Sequence, residues 1–188
     1  MVNTLLGISV LFAAQDAAAA KGDARDVKSV HDFTVEDIDG NKVSLDKYKG
    51  KALLIVNVAS FCGLTDSNYA ALNELNDKYA EKGLVILAFP ANNFGKQEPK
   101  PNAEVKAFCE DKGVKFPLFA KVSVKGDDMC PLYQYLTNHS DKEVAGEVQW
   151  NFQKYVVDRE GNVVAKFSPR VLPTDEKITS AIDKALAG

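Results

Sequence analysis

The chain has 188 residues, 46% hydrophobic and 26% charged, with a formal net charge of −3. That length suits one soluble domain with a sizeable core, and the absence of a Lys- or Arg-rich block excludes an electrostatic nucleic-acid or anionic-membrane binder. Three cysteines (Cys62, Cys109, Cys130) are too few and odd in number for a disulfide scaffold, and neither histidine, His31 or His139, lies near one of them, which leaves no Cys/His metal set.

Leu5 to Ala14 is an apolar run too short to span a bilayer, and four alanines follow at 17–20. The pattern has the apolar region and Ala-x-Ala processing site of a secretory signal, although no Lys or Arg precedes it. The expectation is a signal peptide over 1–20, a polar tether over 21–30 and one folded domain over 31–188. Such a protein works in the periplasm or outside the cell. An unprocessed N-terminal helix on a cytoplasmic protein is the alternative.

Within the domain, "DFTVEDIDGNKVSLDKYKGK" alternates apolar and polar residues around Asp39-Gly40, which predicts a β-hairpin. Leu53-Leu54-Ile55-Val56 is a continuous apolar run, and Ala52 to Ala59 reads as a buried strand. Tyr69, Leu72, Leu75, Asn76 and Tyr79 recur at helical spacing after it, so Thr65 to Tyr79 is predicted helical, closed by Glu81-Lys82-Gly83. "LVILAFP" is a second buried strand, and "ANNFGKQEPKPNAE" a turn-rich loop in which Asn102 is placed to cap the helix "AEVKAFCEDKG". "CPLYQYLTNH" predicts a short helix. "NFQKYVVDREGNVVAKF" predicts two strands joined at Asp158 to Asn162, and Thr174 to Leu186 a last helix capped by Thr174. This order predicts an α/β fold: a small mixed β-sheet flanked by helices, with an N-terminal hairpin, of the thioredoxin-like kind.

"NVASFCGLT" places Cys62 where the first core strand turns into a helix. A helix start offers unpaired N–H groups and the positive end of the helix dipole, and both favour a thiolate there. The position three residues on, where disulfide oxidoreductases carry a second cysteine, is Thr65. A lone thiol in that place suits attack on something other than a protein disulfide. Lowering a thiol pKa from ~8.5 to ~6 raises the thiolate fraction at neutral pH roughly thirtyfold. Reduced nucleophilicity takes back roughly tenfold, by analogy with disulfide exchange. Most of any acceleration must then come from neutral donors that meet charge developing on the other reactant.

"NVASFCGLT", "FPANNFGKQEP" and "WNFQKYVVDREGNVV" together resemble the three motifs of the glutathione peroxidase family. The resemblance implies a thioredoxin-like fold, reduction of hydrogen peroxide and of organic or lipid hydroperoxides by thiols, and no metal or organic cofactor. It places Cys62 as the nucleophile and Gln97, Trp150 and Asn151 as the uncharged donors around it. Cys109 matches the resolving cysteine of the thioredoxin-dependent branch, which would condense with a Cys62 sulfenic acid. Cys130 matches no family role and reads as structural. Ala91 stands where many members have Cys, Asn93 where they have Gln, Phe61 where a polar residue is usual and Lys100 where Gly is common. The short stretch between His139 and Trp150 resembles monomeric members and points to a thioredoxin-like reductant, with a low-molecular-weight thiol as the other choice. A secreted redox sensor and a copper-binding thioredoxin-like chaperone are the rival functions. Neither nucleic acid nor stable membrane insertion is expected.

Overall fold

The structure, a computed structural model, describes residues 27–139 and 141–188. The signal segment and most of the tether lie outside the described residues. The fold begins earlier than residue 31. Ser29 caps a single 3-10 turn at Val30–Asp32, its hydroxyl accepting the His31 N–H, and Val30 is buried and donates its own N–H to Gly161 O. Residues 29 and 30 therefore belong to the domain, because they carry an apolar side chain and a cap that the core uses.

A hairpin of β1 (Thr34–Glu36) and β2 (Lys42–Ser44) comes first, antiparallel with Val35 opposite Val43. The main sheet has four strands in the order β4-β3-β5-β6: β3 (Ala52–Val58), β4 (Leu84–Pro90), β5 (Lys154–Val157) and β6 (Val163–Phe167). β3 pairs parallel with β4 and antiparallel with β5, and β5 pairs antiparallel with β6. Every residue of β3 is buried, which is why its sequence does not alternate. Ala52, Leu54, Val56 and Val58 face Leu72 and Leu75 of α1 (Thr65–Tyr79) and Ile178 and Ile182 of α4 (Glu176–Ala187). Leu53 and Ile55 face the other way, onto Leu132, Tyr133 and Leu136 of α3 (Pro131–Thr137). Successive side chains point to opposite faces, so a strand covered on both sides is apolar on both, and β3 departs from this only at Asn57. Each such side chain stabilises the fold by about 1.5–3 kcal/mol.

The sequence reading placed two helix caps wrongly. The α4 cap is Asp175, whose carboxylate accepts the Lys177 N–H; Thr174 lies one residue too early. Asn102 is the first residue of α2 (Asn102–Asp111) with Pro101 in the cap position, and its side-chain oxygen accepts the Lys121 N–H instead. At α4 two adjacent residues could cap and the second does; at α2 the Asn102 side chain is taken up by the Lys121 N–H and the helix has no side-chain cap.

Lys154, at the start of β5, is fully buried and donates to the carbonyls of Pro169 (3.1 Å) and Val171 (2.7 Å). Burial pulls its pKa from 10.5 down to about 7. Above pH 7 the unfolded chain holds this proton and the folded chain does not, so stability rises with pH until the unfolded lysine also titrates. Relative to Lys154→Met, the native protein should gain about 2 kcal/mol between pH 7 and pH 9. Urea denaturation of both at the two pH values measures it, and parallel pH dependences would refute it.

Candidate active site

Topology brings three loops to one edge of the sheet. β3 and β4 run parallel, so the loops leaving Val58 and Pro90 start side by side. β5 runs antiparallel to β3, so the segment entering it, 150–153, arrives at that same edge. Cys62 lies on the first loop, Gln97 on the second, Trp150 and Asn151 on the third.

The first loop is held by Thr65. Its hydroxyl donates to Ala59 O (2.8 Å) and accepts the Cys62 N–H (3.1 Å), and its own N–H reaches Cys62 O. Thr65 occupies the place of a second redox cysteine and uses it to close the loop. Cys62 Sγ accepts the Leu64 N–H at 3.5 Å and is only 8% exposed. The loop folds the thiol inward, while the neighbouring Phe61 is exposed.

Gln97 follows two residues with left-handed backbone, Gly95 (φ 60°) and Lys96 (φ 52°). A Cβ on Gly95 would sit 3.3 Å from Gln97 Nε2, so glycine leaves room for the amide. The Phe61 N–H donates to Gln97 O (3.0 Å), tying the second loop to the first. Asn151 is fully buried, and its Nδ2 donates to Gln97 Oε1 at 2.9 Å, tying in the third. Trp150 is 40% exposed, with its ring 5.4 Å from that of Phe94. Trp150 is therefore not a core residue.

Asn57 was missed by the sequence reading, and it fixes the third loop. From inside β3 its side chain donates to Trp150 O (3.1 Å) and accepts the Gln153 N–H (3.1 Å), while its carbonyl accepts the Phe152 N–H (2.6 Å). Those bonds hold Phe152 at φ 69°, a left-handed conformation that costs about 1–3 kcal/mol for a non-glycine residue. The signal was visible: Asn57 is the one polar residue in the run 52–59, and a buried amide inside a strand needs partners.

Cys109 sits on the buried face of α2, 2% exposed, with Sγ 3.4 Å from the hydroxyl of Tyr69 on α1. Burial pushes its thiol pKa up, and the nearby Glu98 and Glu110 charges push the same way against the Tyr69 hydrogen bond. Cys130 is half-buried at the start of α3, where burial also raises its pKa, and it packs beside Met129 against the core. Among the described residues, no three His, Cys, Asp or Glu side chains are grouped as metal ligands, and no helix is long and apolar enough to cross a membrane.

The family model described as "Glutathione peroxidase" matches residues 30–137, more than half of the chain and including Cys62, Gln97 and Cys109. The chain belongs to the glutathione peroxidase family. A relative in Arabidopsis thaliana, "Phospholipid hydroperoxide glutathione peroxidase 1, chloroplastic", is 47% identical over 177 residues, 94% of this chain and 72% of that one. That span takes in Trp150 and Asn151, beyond the family match. Among solved structures, T. cruzi GPX1 is similar at a TM-score of 0.69 and 33% identity, covering 86% of this chain and 98% of its own. A thiol:disulfide interchange protein of the thioredoxin family from Chlorobium tepidum superposes with a TM-score of 0.61 at 18% identity, over 86% of this chain and 99% of that one. This likeness is one of fold, and the glutathione peroxidase chain is accordingly a thioredoxin-like α/β domain.

Proposed function

We propose that the protein is a thiol peroxidase that converts a hydroperoxide and a dithiol into an alcohol (or water), water and a disulfide. The observation that carries this reading is the Asn151–Gln97 amide pair joined to the Cys62 loop through the Phe61–Gln97 backbone bond. The pair spends the Gln97 oxygen on Asn151 and leaves the Gln97 NH2 to donate elsewhere. With the Trp150 indole N–H it supplies uncharged donors for an oxygen leaving under attack by Cys62. Cys62 is the nucleophile, and its sulfenic acid is resolved by Cys109. A thioredoxin-like protein then reduces the disulfide, and the enzyme acts as a monomer. NADPH-coupled peroxide consumption tests the reading: thioredoxin with its reductase should sustain turnover better than glutathione with its reductase. No consumption with either reductant would refute it.

Export follows from the pattern at 1–20 and requires a mature N-terminus near Lys21 in protein recovered from its native host. Mass spectrometry showing an intact Met1 on the functional protein would overturn it.

Resolution calls for movement. Cys109 Sγ is engaged with Tyr69 inside the α1–α2 interface, and a disulfide needs aligned Cβ atoms ~3.5–4.5 Å apart. α2 has only ten residues and no side-chain cap at its N-terminus, so local opening is inexpensive. Hydrogen exchange should show Asn102–Asp111 protected in the reduced protein and unprotected after stoichiometric peroxide. Equal protection in the two states would exclude opening.

A further inference from the structure

Phe61 is the most exposed of the large apolar side chains among the described residues, at 54%. A single exposed ring is ordinary on a protein surface; what sets this one apart is its place and its neighbour. It directly precedes Cys62. Its backbone is tied down, because the Phe61 N–H donates to the carbonyl of Gln97 at 3.0 Å. The ring therefore stands at a fixed point beside the reacting sulfur.

The neighbour is Lys100, whose Nζ lies 5.3 Å from the centre of the Phe61 ring, a cation resting on an aromatic face. The ammonium has one other partner among the described residues, the exposed Glu104 carboxylate. That pair is 3.8 Å apart, too long for a hydrogen bond, so the three N–H donors are largely unspent. The Lys100 backbone is held as well, its carbonyl accepting Lys121 Nζ at 2.7 Å.

The approach to Cys62 thus offers two unlike surfaces side by side, one apolar and one positive. Hydrogen peroxide has no apolar part and no charge, and can use neither. A molecule with an apolar chain and an anionic head uses both. The chain carries a net charge of −3 and no Lys- or Arg-rich block, so nothing gathers it on an anionic bilayer. One ring and one ammonium match one acyl chain and one carboxylate.

We infer that Phe61 and Lys100 form a substrate subsite beside Cys62 for the hydroperoxide of a free long-chain fatty acid, an inference that rests on the peroxidase reading above and names its substrate. The acyl chain lies along the Phe61 ring, and the carboxylate meets Lys100. The chemistry at sulfur stays that of a thiol peroxidase. The Cys62 thiolate takes the terminal OH as the O–O bond breaks; the sulfur is oxidised to a sulfenic acid and the peroxide reduced. The alkoxide takes a proton from water and leaves as a hydroxy acid.

Trp150 is the only tryptophan of the chain, so stopped-flow fluorescence of the reduced protein reads the attack step. Three substrates are compared: linoleic acid hydroperoxide below its micellar range, its methyl ester, and hydrogen peroxide. At pH 7 and low salt the acid should react about two- to fivefold faster than the ester, and this preference should vanish in Lys100→Gln and at high salt. Phe61→Ser should slow acid and ester alike, by about three- to tenfold relative to hydrogen peroxide. Equal rates for acid and ester in the native protein, or a preference that survives Lys100→Gln, would overturn the subsite. So would a Phe61→Ser variant whose rates for both lipids keep their native ratio to that for hydrogen peroxide. Failure of all three substrates to react would instead defeat the peroxidase reading, and the subsite with it.

Discussion

Cys62→Ser should lower hydroperoxide turnover by roughly three orders of magnitude or more while leaving the fold in place. A serine hydroxyl stays protonated at neutral pH, and its oxygen has none of the soft nucleophilicity with which a thiolate attacks an O–O bond. Cys109 could not replace it, because that thiol is buried, bonded to Tyr69 and held protonated by its surroundings. The structural cost should be small. The loop is closed by Thr65 through backbone and hydroxyl contacts that do not use the Cys62 side chain. The Leu64 N–H that meets the sulfur can meet a hydroxyl instead. Peroxide consumption at saturating reductant, with the melting temperature measured in parallel, checks both halves. Retention of more than about a hundredth of the activity by a folded variant would sink the assignment.

Gln97→Ala and Asn151→Ala should each slow the attack on peroxide by about one to three orders of magnitude, the usual effect of removing one preorganised donor. The double variant should be little worse than the worse single one. Asn151 Nδ2 bonds Gln97 Oε1 directly, so deleting either side chain releases the other, and coupled groups do not contribute additively. Asn151→Ala also acts on stability in two opposed ways. It removes a buried Oδ1 that has no partner, and it leaves a cavity beside Phe152, whose left-handed backbone depends on Asn57. Second-order rate constants from stopped-flow fluorescence of the reduced protein would measure the effect for both single variants, because Trp150 remains. Two variants attacking peroxide at the native rate would refute the donor role, and a strictly additive double variant would refute the coupling.

The elements themselves were legible in the chain. Leu53 to Val56 and "LVILAFP" are apolar without interruption because both faces of these two parallel-paired strands are covered, and α1 was predicted to its observed ends, Thr65–Tyr79. The hairpin turn at Asp39-Gly40 was readable from the need for positive φ, which Gly40 adopts at 85°. Motif order was legible too, since three separated segments carry Cys62, Gln97 and the Trp150–Asn151 pair whatever the chain does between them.

Other features belong to the tertiary structure. Nothing local to Asn57 or Glu98 says which groups 38 to 96 residues away will meet them, and their partners exist only once β3, β4 and β5 bring their loops to one edge. The start of α2 was decided the same way, by the Lys121 N–H that takes up the Asn102 side chain. Exposure of Cys62 and Trp150 also depended on packing. Cys62 turns inward because Thr65 closes its loop, and Trp150 stays at the surface against Phe94. The physical reason is common to all of these. Periodicity and propensity act within a turn or a strand, whereas hydrogen bonding and burial at the site are set by which distant segments share an edge of the sheet.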